Sequence, residues 1–153
     1  MKRLALFALL LPSIVLAEGL TWLEKDNPNE LYFLAAVASD CSMTDERLQS
    51  LVKGVLVRSR IKPASSWNPN ETTLEIILNC MKIDGGDPVF NLVIRFKKII
   101  EQNDDGEYVF LITDRHYGAF CMGDSGAISQ AVKEGVEIAI TDYIEVNFVL
   151  GED

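Results

Sequence analysis

Three strand-like segments follow one another in the middle of the chain, and a turn separates each from the next. In residues 72–83 and 89–100, apolar and polar side chains alternate, which is the pattern of strands with one buried face. The apolar set comprises Leu74, Ile76, Leu78 and Cys80, then Phe90, Leu92, Ile94 and Phe96. The turns at 84–88 and 103–106 both contain glycine, which readily adopts a positive φ. The sequence therefore predicts an antiparallel meander.

Helical periodicity flanks this meander on both sides. Thr44 is suited to cap the first helix, and Pro63 is expected to end it. Its buried stripe is Leu48, Leu51, Val52, Val55 and Leu56. Asp124 or Ser125 caps the second helix, which is expected to reach about Phe148. Its buried stripe is Ile128, Val132, Gly135, Val136, Ala139 and Tyr143, and its solvent face is Lys133, Glu134, Glu137, Asp142 and Glu145.

The order of elements predicts an α+β fold in a single domain spanning residues 31–150. An apolar segment at 31–39 forms the first strand, and residues 107–122 form the last, with a bulge near Gly118. The order is then β-α-β-β-β-α, with two helices on one face of a mostly antiparallel four-stranded sheet. A right-handed crossover makes the first strand parallel to the second. Residues 18–30 are expected to be an extended lead-in.

This topology constrains how the three cysteines can pair. Cys41, Cys80 and Cys121 each lie at or just past the carboxyl end of the first, second and fourth strands. Strands are about 4.8 Å apart, so Cys80 and Cys121 are separated by roughly 10 Å across the third strand. A disulfide requires Cα atoms within about 7 Å. We therefore expect a disulfide that includes Cys41, joined to Cys80 or to Cys121; the alternative is three buried, reduced thiols.

The amino terminus has the organisation of a secretory signal peptide. Lys2 and Arg3 precede a short apolar run, and Val15-Leu16-Ala17 supplies a cleavage site. The run is too short to span a membrane, so no stable membrane insertion is expected after residues 1–17 are removed. A short leader that begins with Lys-Arg is typical of bacteria. The sequence therefore predicts a periplasmic or secreted protein.

The charge of the chain indicates which partners it can meet. Removing residues 1–17 from the 153-residue chain leaves 136 residues and changes the formal net charge from −9 to −11, because Lys2 and Arg3 are lost. An acidic domain is poorly suited to nucleic acid or to anionic lipid headgroups, whose binding requires clustered cations. A basic protein partner is expected instead.

Few residues of the sequence are candidates for catalysis or metal binding. Asp114 and His116 project to the same face of a strand, and Cys121 lies five residues further on, so an enzyme using these three groups is one interpretation. No second histidine is present and no CxxC spacing occurs, so neither a metal site nor a cofactor is expected. We assign no catalytic residue.

Two kinds of candidate contact surface remain. Arg58 and Arg60 form a basic cluster near Trp67, a combination common at protein interfaces. Carboxylates in the two hairpin turns are the second kind, and they are Asp84, Asp87, Asp104 and Asp105. Asn70-Glu71-Thr72 also fits the glycosylation sequon, whose use the sequence leaves open.

These observations favour an exported, non-catalytic protein that acts by binding another protein of the cell envelope. It would be an inhibitor or immunity protein of a basic hydrolase, or an envelope assembly factor. A binder of a small ligand or lipid is the alternative, and the enzyme is the least favoured interpretation.

Overall fold

A computed structural model describes residues 20–38, 41–102, 107–113 and 117–149. The predicted signal peptide, Asp104, Asp105, Asp114 and His116 lie outside the described residues, so the hypotheses that rest on them stay predictions. The strands are β1 (Glu30–Val37), β2 (Lys62–Pro63), β3 (Thr73–Met81), β4 (Val89–Gln102), β5 (Tyr108–Ile112) and β6 (Ala119–Met122). The helices are α1 (Asp45–Arg58) and α2 (Ser125–Ile144), with a short 3-10 turn at Thr21–Leu23 and a π-helical turn at Glu145–Val149.

The predicted α+β class and the parallel entry of the first strand are confirmed. The sheet order is β2-β1-β3-β4-β5, and β6 pairs with β4. β1 runs parallel to β3 over six residue pairs, from Tyr32 opposite Thr73 to Val37 opposite Leu78. β3, β4 and β5 pair antiparallel in sequence, which is the predicted meander. The sheet is therefore mixed and mostly antiparallel.

The prediction of four strands is wrong, because the described residues form six. Residues 107–122 form two strands, and both pair with the same side of the 14-residue β4: β5 near its end and β6 at its start. Just before β6 the backbone approaches β4 so closely that a Cβ on Gly118 would lie 1.8 Å from the Leu92 carbonyl oxygen. This close approach explains why glycine stands at position 118. The structure has a break between two strands where the sequence predicted a bulge in one strand.

The second additional strand, β2, is a two-residue parallel pairing with β1. The Lys62 N–H donates to the Asn29 carbonyl at 2.8 Å, and the Ala64 N–H donates to the Leu31 carbonyl at 3.0 Å. Pro63 stands between them and has no N–H to donate. So short a ladder leaves no alternating pattern in the sequence.

The core lies between the sheet and the two helices. The side chains that alternate inward from β3 and β4 are buried as predicted, except for Cys80, which is partly buried; the stripe of α2 is buried as well. Tyr143 of α2 stacks on Phe96 of β4 with ring centroids 5.9 Å apart. The predicted caps are also confirmed: the Thr44 hydroxyl accepts from the Arg47 N–H, and an Asp124 carboxylate oxygen accepts from two backbone N–H groups of the first turn of α2.

The end of α1 differs from the prediction. The helix ends at Arg58, before the proline is reached. Arg60 has a φ of 61°, the Arg60 N–H donates to the Val57 carbonyl, and the Ile61 N–H donates to the Leu56 carbonyl. This pattern of bonds is the Schellman motif, in which a left-handed residue closes the helix. Arg60 is therefore the left-handed residue that closes α1.

Two further predictions about burial need correction. Asp142, expected on the solvent face of α2, is only 7% exposed, because its carboxylate accepts a 2.8 Å hydrogen bond from the Tyr117 hydroxyl. Part of the lead-in is not simply extended: Leu23 is fully buried, and its carbonyl accepts from the Asn147 side chain at 3.2 Å. The segment from Leu20 onward therefore packs on the core.

The disulfide joins Cys41 to Cys80, with Cα atoms 5.0 Å apart, and this pair was one of the two expected. Cys80 lies opposite Phe90, and Phe90 lies opposite Cys121, so the two cysteines are two strand spacings apart. Cys121 is a free, exposed thiol. The distance argument that excluded a bond between Cys80 and Cys121 is confirmed.

Candidate binding surface

The face of the sheet turned away from the helices is the most unusual surface of the described chain. We call it the open face, and it consists of the side chains that alternate with the core-facing ones. Its large exposed apolar side chains are Leu34, Met81, Tyr108, Phe110, Ile112, Phe120 and Met122. An antiparallel sheet face in contact with water is ordinarily polar. Adjacent exposed apolar side chains of this size mark interaction sites.

Strand register brings these side chains together. Phe110 of β5 lies opposite Ile99 of β4, and Ile112 lies opposite Lys97. At the other end of the open face, Met122 lies opposite Val89, which in turn lies opposite Met81. The apolar residues therefore form two groups, one at each end of the long strand β4.

A buried carboxylate lies between the two groups. Glu75 of β3 is 4% exposed and lies opposite both Leu34 and Arg95. Its carboxylate accepts a 2.7 Å hydrogen bond from Arg95 Nε and a second bond from Lys97 Nζ. Burial by itself would raise the pKa of Glu75, but the bonds from Lys97 and Arg95 outweigh it and hold that pKa below its usual value. The cluster of Glu75, Arg95 and Lys97 therefore has a net charge of +1.

An aromatic groove crosses one end of the open face. Its volume is about 260 Å³, and its lining residues are Tyr32, Leu34, Trp67, Thr73, Lys97, Ile99, Tyr108 and Phe110. Trp67 is 47% exposed and forms one wall. Lys97 Nζ lies 5.4 Å from the centre of the Phe110 ring, within the range of a cation–π contact. The groove therefore offers aromatic faces with one ammonium group among them.

The structure separates the predicted basic cluster from the tryptophan. The Arg58 guanidinium binds Glu137 of α2 at 3.1 Å, on the helical side of the sheet. Trp67 lines the groove on the open face. Arg60 is exposed at the end of α1. The three residues are therefore not brought into one contact surface, and a contact role for each stays a prediction.

The remaining candidate residues lie elsewhere. Asp84 and Asp87 are exposed in the turn between β3 and β4, and Asp84 borders a 580 Å³ depression beside Cys41. Asn70 is exposed, and its backbone N–H donates to the Asn68 side chain at 3.1 Å. Within the described ranges, no group of three or more His, Cys, Asp or Glu side chains could hold a metal ion. Nor does that part of the chain contain a helix long and apolar enough to cross a membrane.

Sequence reasoning did not assign the open face to protein binding. The alternation showed that Arg95 and Lys97 leave the core, but it did not reveal that Glu75 lies between them. One signal was present in the sequence: residues 108–112 (Tyr-Val-Phe-Leu-Ile) are apolar at every position. A strand with no polar residue is apolar on both faces, although only one face can lie on the helices.

Comparisons with known proteins place the chain in no family. No protein-family model matches it, and no curated protein sequence matches it either. Among solved structures, the chain is similar to a minor lipoprotein from Acinetobacter baumannii. The identity is 12% and the TM-score is 0.27, over 78% of this chain and 91% of the lipoprotein. A likeness at that score carries no argument about function.

Proposed function

We propose that the protein is an exported, non-catalytic binding protein, and that a second protein of the periplasm or extracellular space docks on its open face. The observation that carries this proposal is the exposure of large apolar side chains on a sheet face that neither described helix covers. The leader-like amino terminus and the Cys41–Cys80 disulfide support the compartment, because disulfides persist where conditions are oxidising.

The composition of the open face supports a protein as the partner. Tryptophan, tyrosine and arginine are the residues that contribute most at protein interfaces, and Trp67, Tyr108 and Arg95 all lie on or beside this face. A small apolar ligand is the second candidate, and the aromatic groove favours it. The groove holds about 260 Å³, however, which is below the roughly 300–1,000 Å³ of small-molecule sites. Its size suits a single side chain inserted by a protein.

The net charge of the whole chain supports a basic partner, although the Glu75–Arg95–Lys97 cluster of the open face has an excess of one positive charge. The sequence has a net charge of −9, and carboxylates such as Asp84 and Asp87 are exposed in the β3–β4 turn. Complementary charge mainly raises the rate of association. We infer that the partner is a basic envelope protein: a cell-wall hydrolase that this protein inhibits, or a component of an envelope assembly. Insertion of the turn that contains Asp84 into a basic cleft is the mechanism proposed for inhibition.

Photo-crosslinking in the cells that make the protein tests this proposal. Benzoylphenylalanine replaces Phe110 on the open face or, as a control, Ile138 on α2. The two positions are matched, since the side chains are 41% and 48% exposed. We expect a discrete adduct with a basic protein from position 110 and none from position 138. Equal adducts from both positions, no adduct, or an adduct with the mass of a lipid would overturn the proposal.

A further inference from the structure

β5 is an edge strand whose outer side is unpaired in the described structure. It pairs antiparallel with β4 on one side, and the sheet order ends with it. An edge of this kind presents free N–H and C=O groups that can hydrogen-bond to another strand. An inference about what pairs with this edge rests on the proposed function, and it specifies how the partner binds.

Backbone geometry identifies which groups face outward. The Thr113 N–H donates to the Phe96 carbonyl of β4 at 3.1 Å. In an antiparallel strand, successive residues direct their backbone groups to opposite sides. Leu111 and Val109 therefore face β4 as Thr113 does. The N–H and C=O groups of Phe110 and Ile112, and by the same alternation those of Tyr108, face outward.

This edge lacks the protection that edge strands ordinarily have. Residues 108–112 include neither a charged residue nor a proline, and four of the five side chains are exposed. The opposite edge, formed by β1, is covered at both ends. β2 pairs with its first residues, and the Asp45 carboxylate accepts a 2.7 Å hydrogen bond from the Val37 N–H. Natural proteins block edges with such devices, so their absence from β5 indicates an edge kept open for pairing.

We propose that β5 accepts an extended segment of the partner protein as an additional strand of the sheet. The segment has apolar side chains that continue the open face, and a Lys or Arg near the first residue of β5. Charge complementarity supports this basic residue, because Glu107 precedes β5 and Glu101 lies opposite Val109, and both carboxylates are exposed. Backbone bonds supply affinity in such strand addition, and alternate side chains supply specificity.

A second copy of this chain fits the edge less well. Two β5 strands paired antiparallel about Phe110 would place Glu107 of each copy opposite Thr113 of the other. Thr113 is uncharged, so it cannot form an ion pair with the Glu107 carboxylate. Each copy without residues 1–17 also has a net charge of −11, so the two copies repel one another. A basic partner is therefore the occupant that the charges favour.

Two substitutions at Ile112 separate the backbone contact from the side-chain contact. Ile112→Pro removes an outward-facing N–H while leaving the bonds to β4 intact. Ile112→Ala keeps that N–H and shortens the side chain. Both are made in the protein that contains benzoylphenylalanine in place of Phe110, and adducts are measured in the cells that make it. We expect the adduct to fall about tenfold with proline and by a clearly smaller factor with alanine, which loses apolar contact on the open face but keeps the backbone N–H; equal falls would contradict strand addition.

The outcomes distinguish the two proposals. If the adduct forms in the parent protein and persists with Ile112→Pro, protein binding stands and strand addition is wrong. If the parent forms no adduct, the proposed function fails. An adduct with the mass of two copies of this chain overturns the basic partner.

A second variant guards against misfolding of the proline variant. Leu111→Lys introduces the residue that natural edges use against strand addition, and Ile138→Lys on α2 is its control. Retention of the adduct by a folded Leu111→Lys variant would contradict strand addition.

Discussion

The disulfide between Cys41 and Cys80 should supply a large share of the stability of this domain. The bridge closes a loop with a sequence separation of 39 residues. In the chain-entropy model, a loop of that length restricts the unfolded chain by about 4 kcal/mol at 25 °C. A domain of ordinary stability unfolds with roughly 5–15 kcal/mol. Replacing both cysteines by alanine should therefore leave a domain that still folds but with a much smaller margin.

Urea unfolding followed by tryptophan fluorescence measures this loss. Both the parent and the double variant should contain Cys121→Ala, so that the free thiol cannot exchange with the bridge. With a urea dependence of about 2 kcal/mol per molar, the midpoint is expected to fall by about 2 M. Cys121→Ala alone should change stability by less than about 0.5 kcal/mol, since the side chain is exposed. A double variant that loses less than about 1 kcal/mol would refute the entropic argument.

Three further expectations concern the ion pairs of Glu75 and two glycines of the helices. Arg95→Leu combined with Lys97→Leu leaves the Glu75 carboxylate buried without these two cations, so we expect a loss of about 3 kcal/mol in urea unfolding at pH 7. The pKa of Glu75 is lower in the folded than in the unfolded protein, so its stabilisation is complete above about pH 4.5 and is lost as the pH falls further. The stability difference between the parent and Glu75→Gln should shrink over that range, and a constant difference would contradict it. Gly135→Ala should destabilise by about 1–3 kcal/mol, because its Cβ would lie 2.4 Å from the Tyr117 carbonyl oxygen and 2.6 Å from an Ile94 carbon. Gly54→Ala is the matched control and should stabilise the protein by about 0.5–1 kcal/mol, because the nearest side-chain atom to its Cβ, on Arg58, lies 3.6 Å away. Equal effects at the two positions would show that packing is not the cause.

Much of the fold followed from local rules that act within a few residues. Alternation identified the core faces of β3 and β4, and cap chemistry located Thr44 at the start of one helix and Asp124 or Ser125 at the start of the other, where Asp124 is the cap. That the bridge includes Cys41 followed from strand spacing once the topology was predicted, and Cys80 was one of the two partners left open. These features were predictable because period and cap geometry depend on neighbours in the sequence.

The errors arose where distant parts of the chain meet. Asp142 fits the polar face of α2 by period, yet the hydroxyl of Tyr117, 25 residues earlier, allows it to be buried. By alternation Glu75 is an outward-facing polar residue that should be exposed. It is only 4% exposed, because it pairs with cations 20 and 22 residues later in the chain. The split between β5 and β6 likewise depends on close packing of Gly118 on β4. No local pattern reports such contacts.

The disulfide also has a consequence for the order in which the chain can oxidise. Cys41 and Cys80 are the first two cysteines to be synthesised, and Cys121 follows 41 residues after Cys80. At about 5–20 residues per second, translation of that interval takes roughly 2–8 seconds. During this time the native partners are the only thiols on the nascent chain. Pairing cysteines in their order along the chain therefore yields the correct bond without reshuffling.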